Sequence, residues 1–176
     1  NTYPAVVAGS DESLDLAVLR IEGEFPIQPV VLGDSDVLNI GDWAICIGNP
    51  LSFTGTTTVG VISALNREIT NSTTDIYGRR TDSVNLMIQT DAAINAGNSG
   101  GGMFNVAGEL IGVPSMKYTG SYMSATSVEG IGMAIPINVA KPLLEDVLSG
   151  KTAPAQAENQ DNTSLTTAEK PDRKSV

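Results

Sequence analysis

The chain has 176 residues, enough for one domain with a sizeable core or for two small lobes sharing one. Its apolar fraction is 41%, and no run approaches the roughly 18 apolar residues of a membrane-spanning helix. Twenty acids against ten bases give a net charge of −10, a surface that repels phosphate backbones and anionic membranes and argues against nucleic acid as a partner. From Lys151 onward four acids balance four bases, so the whole excess sits on residues 1–150.

Asn1–Ser13 has no basic region followed by an apolar stretch, so the chain is expected to begin within a fold and not with a signal peptide. Short β-rich runs then follow one another. Tyr3–Ala8 and Leu16–Ile21 read as strands around a loop from Gly9 to Ser13. Val30–Leu32 and Trp43–Ile47 read likewise, separated by the turn-rich GDSDVLNIGD. Cys46, the single cysteine, stands in the apolar run WAICIG and reads as a buried structural thiol; no intrachain disulfide is possible. Thr56–Leu65, Leu86–Thr90, Gly102–Phe104, Leu110–Pro114 and Gly130–Ile135 complete the strands, with NVAG at Asn105–Gly108 as a hairpin turn. Many short strands with glycine-bearing turns predict an all-β barrel or sandwich.

One helix is expected at the end. Asn138 is placed to cap it, Val139, Leu143, Leu144, Val147 and Leu148 form its apolar stripe, and Gly150 stops it. Pro142 is expected in its first turn, where a missing N–H costs least. Residues 151–176 hold no aromatic residue and few large apolar ones, the composition of a disordered tail or linker. Two glycosylation sequons, at Asn71 and Asn162, carry little weight.

The chemistry concentrates at DAAINAGNSGGG, Asp91–Gly102. A plain reading makes Ser99 a turn-capping residue in a glycine-rich hairpin. The nucleophile elbow of α/β-hydrolases fits Gly97–Gly101 only on paper, because it needs a helix after the serine and a later histidine. Here three glycines follow, and the chain holds no histidine. A phosphate-binding loop lacks its lysine. The turn that presents the nucleophile in chymotrypsin-like proteases explains the glycines on both sides. In it the backbone N–H groups of Gly97 and Ser99, with Asn98 between them, face a tetrahedral oxyanion, and Gly100 and Gly101 let the chain run beside a bound peptide. That reading requires an aspartate upstream. Asp15, at the head of an apolar strand and expected to be partly buried, is the candidate; Asp11 and Asp91 are its rivals.

Four segments, in order, carry a specific likeness: SLDLAVLRI, IGDWAICIGNPLSFTGTTTVGVISALNRE, IQTDAAINAGNSGGGMFNVAGELIGV and GIGMAIPINVAKPLLEDVL. From about Tyr3 to Leu148 the sequence resembles the protease domain of the HtrA (high-temperature-requirement) family of trypsin-like serine endopeptidases. The resemblance implies a double β-barrel with a C-terminal helix, its first barrel incomplete in this chain. It makes Ser99 the nucleophile, Asp15 the orienting acid and Gly97, Asn98 and Ser99 the oxyanion hole. Ile94 and Ala96 would line the first specificity pocket, and no metal or cofactor is implied. An apolar Ile94, with Ala93 where trypsin-like enzymes for basic residues carry an acid, suits cleavage after small aliphatic side chains. Ala96 and Met103 stand where the family usually shows prolines, and Val113–Glu129 is a long polar loop where it builds part of the substrate pocket.

The family's catalytic histidine precedes its aspartate by a few tens of residues, and only Asn1–Leu14 precede Asp15. The expectation is therefore that the histidine lies on a segment outside this chain and that residues 1–176 alone are inactive, with exposed apolar strands unless a companion chain covers them. The resemblance further implies polypeptide substrates, protein quality control, a possible homotrimer, a PDZ domain after residues 151–176 and an extracytoplasmic location. The competing reading is a protease-like module that binds unfolded polypeptide without cutting it.

Overall fold

The computed structural model describes residues 3–23, 27–49, 55–74, 79–95, 97–117 and 130–151. Ala96, the loop beyond Lys117, the Asn162 sequon and the tail after Lys151 lie outside the described residues.

Six strands close into one antiparallel barrel. They are β3 (Trp43–Gly48), β4 (Thr56–Thr74), β5 (Arg80–Thr90), β6 (Gly102–Phe104), β7 (Leu110–Lys117) and β8 (Gly132–Pro136), ordered β3-β4-β5-β8-β7-β6. β6 pairs back onto β3, with Ile45 opposite Phe104, so the barrel closes on itself. Alternation along β3 shows why the run WAICIG is a strand. Ala44 and Cys46 are fully buried, whereas Trp43 and Ile47 point outward. With Ile62, Ile88, Met103, Ile111 and Ala134 they fill the barrel, joined by Ala92 and Ile94 from the segment after β5.

The expected strands recur with altered ends. β4 and β5 run on as a two-stranded arm, from Arg67 opposite Met87 to Thr74 opposite Arg80, after register shifts between Ile62 and Arg67. The arm residues NREITNSTT and RTDSVN are largely polar, so no apolar alternation announces them. Val30–Leu32, expected as a strand, forms only a single parallel bridge between Leu32 and Leu110. The Asn105–Gly108 hairpin turn forms as read, with Gly108 N–H donating to Asn105 O at 3.0 Å.

β1 (Ala5–Asp11) and β2 (Leu16–Ile21) pair as a separate antiparallel ribbon, where the incomplete first barrel was expected. Val6, Val7, Leu19 and Ile21 on this ribbon are exposed, as are Ile27 and Val31 after it. Helix α1 (Ile137–Leu148) packs against β1, β2, β7 and β8 and so bridges ribbon and barrel.

The helix start differs from expectation. Pro136 is the capping residue and has no side chain to donate or accept. The first-turn N–H of Asn138 is instead satisfied at long range by Ser35 Oγ at 3.1 Å, and Asn138 Nδ2 donates to Asp34 Oδ1 at 2.6 Å. That bond, with the Asp36 N–H, holds the Asp34 carboxyl below its ordinary pKa. Pro142 lies in the second turn, not the first, and leaves the Asn138 carbonyl without its helical donor. The far end closes as read: Gly150 N–H donates to Val147 O and Lys151 N–H to Asp146 O, a Schellman arrangement.

Cys46 is fully buried in the barrel, and desolvation raises its thiol pKa to about 11. Native protein at pH 8 should resist alkylation by iodoacetamide, while denatured protein should be labelled fully. Mass spectrometry of the two samples checks this.

Candidate active site

Ser99 sits exposed in the turn between β5 and β6. Gly97 adopts φ +104°, a left-handed conformation that side chains disfavour, and its carbonyl accepts from Asn49 N–H at 3.0 Å. The turn is thereby tied to the end of β3. Gly100 N–H donates to Pro114 O at 2.9 Å, tying it to β7 as well. A Cβ on Gly101 would run into the carbonyl of Ile47, so this glycine serves close packing on β3 and not room for a peptide.

Among the described residues no acceptor takes the N–H of Gly97 or Ser99. Asn98 is different. Its N–H donates to Asn95 O at 3.0 Å, and its buried side chain donates to Ala93 O at 2.9 Å. Its expected share in the oxyanion hole is therefore corrected: it braces the turn from beneath. Among the described residues its buried Oδ1 has no hydrogen-bond partner.

Asp15 is not partly buried as expected. It is exposed in the turn before β2, at φ +58°, a left-handed conformation that aspartate tolerates better than most residues. The rivals are occupied. Asp11 Oδ1 accepts from Ser13 Oγ at 2.6 Å and from the N–H groups of Ser13 and Leu14, and the Ser13 hydroxyl bond lowers its pKa. Asp91 Oδ1 accepts from Val61 N–H at 2.7 Å.

One residue that sequence reasoning missed joins the two ends. Ser115, on β7, donates from its Oγ to Asp15 Oδ2 at 3.1 Å, and its carbonyl accepts from Ser99 Oγ at 2.8 Å. Ser99 and Asp15, 84 positions apart in the numbering, thus meet on one residue, Ser99 at its backbone carbonyl and Asp15 at its side chain. Both face a largely apolar cavity of about 490 Å³ between ribbon, helix and barrel, lined also by Leu16, Val113 and Leu144. A peptide carbonyl is no base, so the acceptor that Ser99 Oγ has here does not take its proton. Lys141 lines the same cavity, yet its Nζ donates to Gly33 O at 2.7 Å and to Asn138 Oδ1 at 2.8 Å.

Ile94 is buried in the barrel core and also borders a smaller cavity of about 310 Å³ with Asp91–Asn95 and Gly130–Gly132. Its side chain fills the space that a Cβ on Gly132 would need. Ala93, and not an acid, stands six residues before Ser99, and Asp91 also borders this cavity.

Comparison with known proteins gives this geometry its context. A family profile described as the trypsin-like peptidase domain matches residues 1–113. The chain belongs to the trypsin-like peptidase family. Within it, this peptidase domain resembles HtrA-type serine proteases. It is 42% identical over 158 residues to serine protease PepD of Mycobacterium tuberculosis, covering 88% of this chain and 33% of that one. It is 46% identical over 144 residues to a probable periplasmic serine endoprotease, DegP-like, of Rickettsia prowazekii, covering 81% of this chain and 26% of that one. In structure it is similar to the HtrA-type protease AlgW with decapeptide. The TM-score is 0.67 and the identity 35%, over 84% of this chain and 41% of that one. The domain thus spans about a quarter to a third of the length of these curated relatives. Among the described residues no helix is long and apolar enough to cross a membrane.

Proposed function

We propose that this trypsin-like peptidase domain is the nucleophile-bearing part of a serine endopeptidase acting on unfolded polypeptide. The observation that carries the reading is the meeting of Ser99 Oγ and the Asp15 carboxylate on Ser115, at the wall of one cavity. In the reaction Ser99 Oγ attacks the peptide carbonyl and gives its proton to an imidazole, which then passes it to the leaving amine. The amides of Gly97 and Ser99 receive the oxyanion, and water hydrolyses the acyl-enzyme. Asp15 orients the imidazole. No histidine occurs in residues 1–176, so the imidazole comes from a segment outside them. The exposed apolar side chains of β1 and β2 support further strands packing there, from the same chain or a companion one.

Ile94 and Ala93 support cleavage after small aliphatic residues, beside an Asp91 carboxylate whose Oδ1 accepts from Val61 N–H. By likeness to HtrA-type relatives, the reading extends to protein quality control outside the cytoplasm, a homotrimer and a following PDZ domain. Profiling the histidine-containing protein on a peptide library tests the assignment. Cleavage after Val or Ala in unfolded substrate is expected. A dominant preference for Arg or Lys overturns the pocket, and binding of unfolded polypeptide without cleavage overturns the enzyme.

A further inference from the structure

Asp15 is the exposed end of the Ser99–Ser115–Asp15 connection, and an exposed turn residue needs something to hold it. Along β5 the side chains of Ser83, Asn85 and Met87 share one face, as every second residue of a strand does. Asn85 Nδ2 donates to the carbonyl of Ser13 at 2.7 Å, and Ser83 Oγ donates to the same oxygen at 3.3 Å. Met87 is buried in the small cluster with Met133 and Ile135, against which Leu16 packs. The same strand face therefore grips the chain two residues before Asp15 by hydrogen bonds and one residue after it by apolar contact. Asp11 closes the turn from within by accepting the N–H groups of Ser13 and Leu14, and Asp15 N–H donates to Glu12 O at 3.3 Å.

We propose that Asn85, at the root of the β4–β5 arm, is a positioning residue that holds the Asp15 turn so that its carboxylate reaches Ser115. Asn85 touches no reacting atom. It acts through the Ser13 carbonyl, and the arm beyond it lies outside the barrel core. Anything that shifts the arm relative to the barrel then moves the orienting acid. The proposal rests on the endopeptidase reading for its effect on rate, but not for the anchoring itself.

Two measurements separate these. In residues 1–176, Asn85→Leu should speed hydrogen exchange at the amides of Leu14 and Asp15 while leaving Met87 and Ile88 unchanged. Unaltered exchange at the turn overturns the anchoring whatever the activity. In the histidine-containing protein, Asn85→Leu should lower kcat about tenfold with KM unchanged, the size expected for one lost hydrogen bond. In an Asp15→Asn background it should cost nothing further, because both changes act on one group. Losses that multiply, or an unchanged kcat, overturn the positioning role. Activity that survives Ser99→Ala overturns the endopeptidase reading instead, and leaves the exchange result to judge the anchor.

Discussion

Ser99→Ala in the histidine-containing protein should lower kcat about a millionfold, to the residue left by oxyanion and binding effects alone. The fold should hardly notice. Ser99 is exposed, and the lost bond to the Ser115 carbonyl is worth about 1 kcal/mol. The backbone of the turn stays in place, because Gly97 and Gly100 remain tied to β3 and β7. The variant should therefore still bind unfolded polypeptide with unchanged affinity while cutting none of it. Steady-state hydrolysis beside a binding titration checks both halves. A thermal midpoint shifted by many degrees would mean that the serine is structural.

Asp15→Asn should lower kcat by about four orders of magnitude. The asparagine amide offers an N–H where the imidazole needs an acceptor, so the ring is held in the wrong tautomer. The change also alters the contact with Ser115. Its Oγ donates to Asp15 Oδ2 at 3.1 Å and would have only a neutral amide oxygen to meet. Because Asp15 is exposed, folding stability should change little. Asp11→Asn gives the opposite pattern. That carboxylate caps a turn, and its lowered pKa means that its stabilisation is present above the ordinary carboxylate range and lost as pH falls through its folded value. Comparing the two variants by kcat and by thermal unfolding separates the orienting acid from the structural one.

Much of this was readable in the residues, for identifiable reasons. The barrel strands announce themselves where one face is buried, as in WAICIG, because apolar and outward residues must alternate. The turn around Ser99 is readable because it demands glycines at fixed offsets, as the φ of Gly97 shows. The polar arm of β4 and β5 has neither signal. Its strands pair through backbone hydrogen bonds that any residue can make.

The less legible parts of the site are long-range. Ser115 lies 100 residues from the carboxylate it contacts, in a segment where one more serine carries no mark. The donor and acceptor that start the helix come from Ser35 and Asp34, so a search for a local cap settles on Asn138 itself. The exposure of Asp15 was missed because the head of an apolar strand is usually half-buried. Here Asp15 takes a left-handed conformation in the turn of the β1–β2 ribbon and stays exposed, with its carboxylate meeting Ser115.

The central claim is that Ser99 is a nucleophile whose base lies outside residues 1–176. A fluorophosphonate reacts only with an activated serine hydroxyl, so its covalent attachment reads activation directly. Mass mapping after incubation should place the adduct on Ser99 in the histidine-containing protein, and find none on residues 1–176 at the same concentration and time. Rapid labelling of Ser99 in residues 1–176 alone would contradict the account, because a base would then have to be found within them.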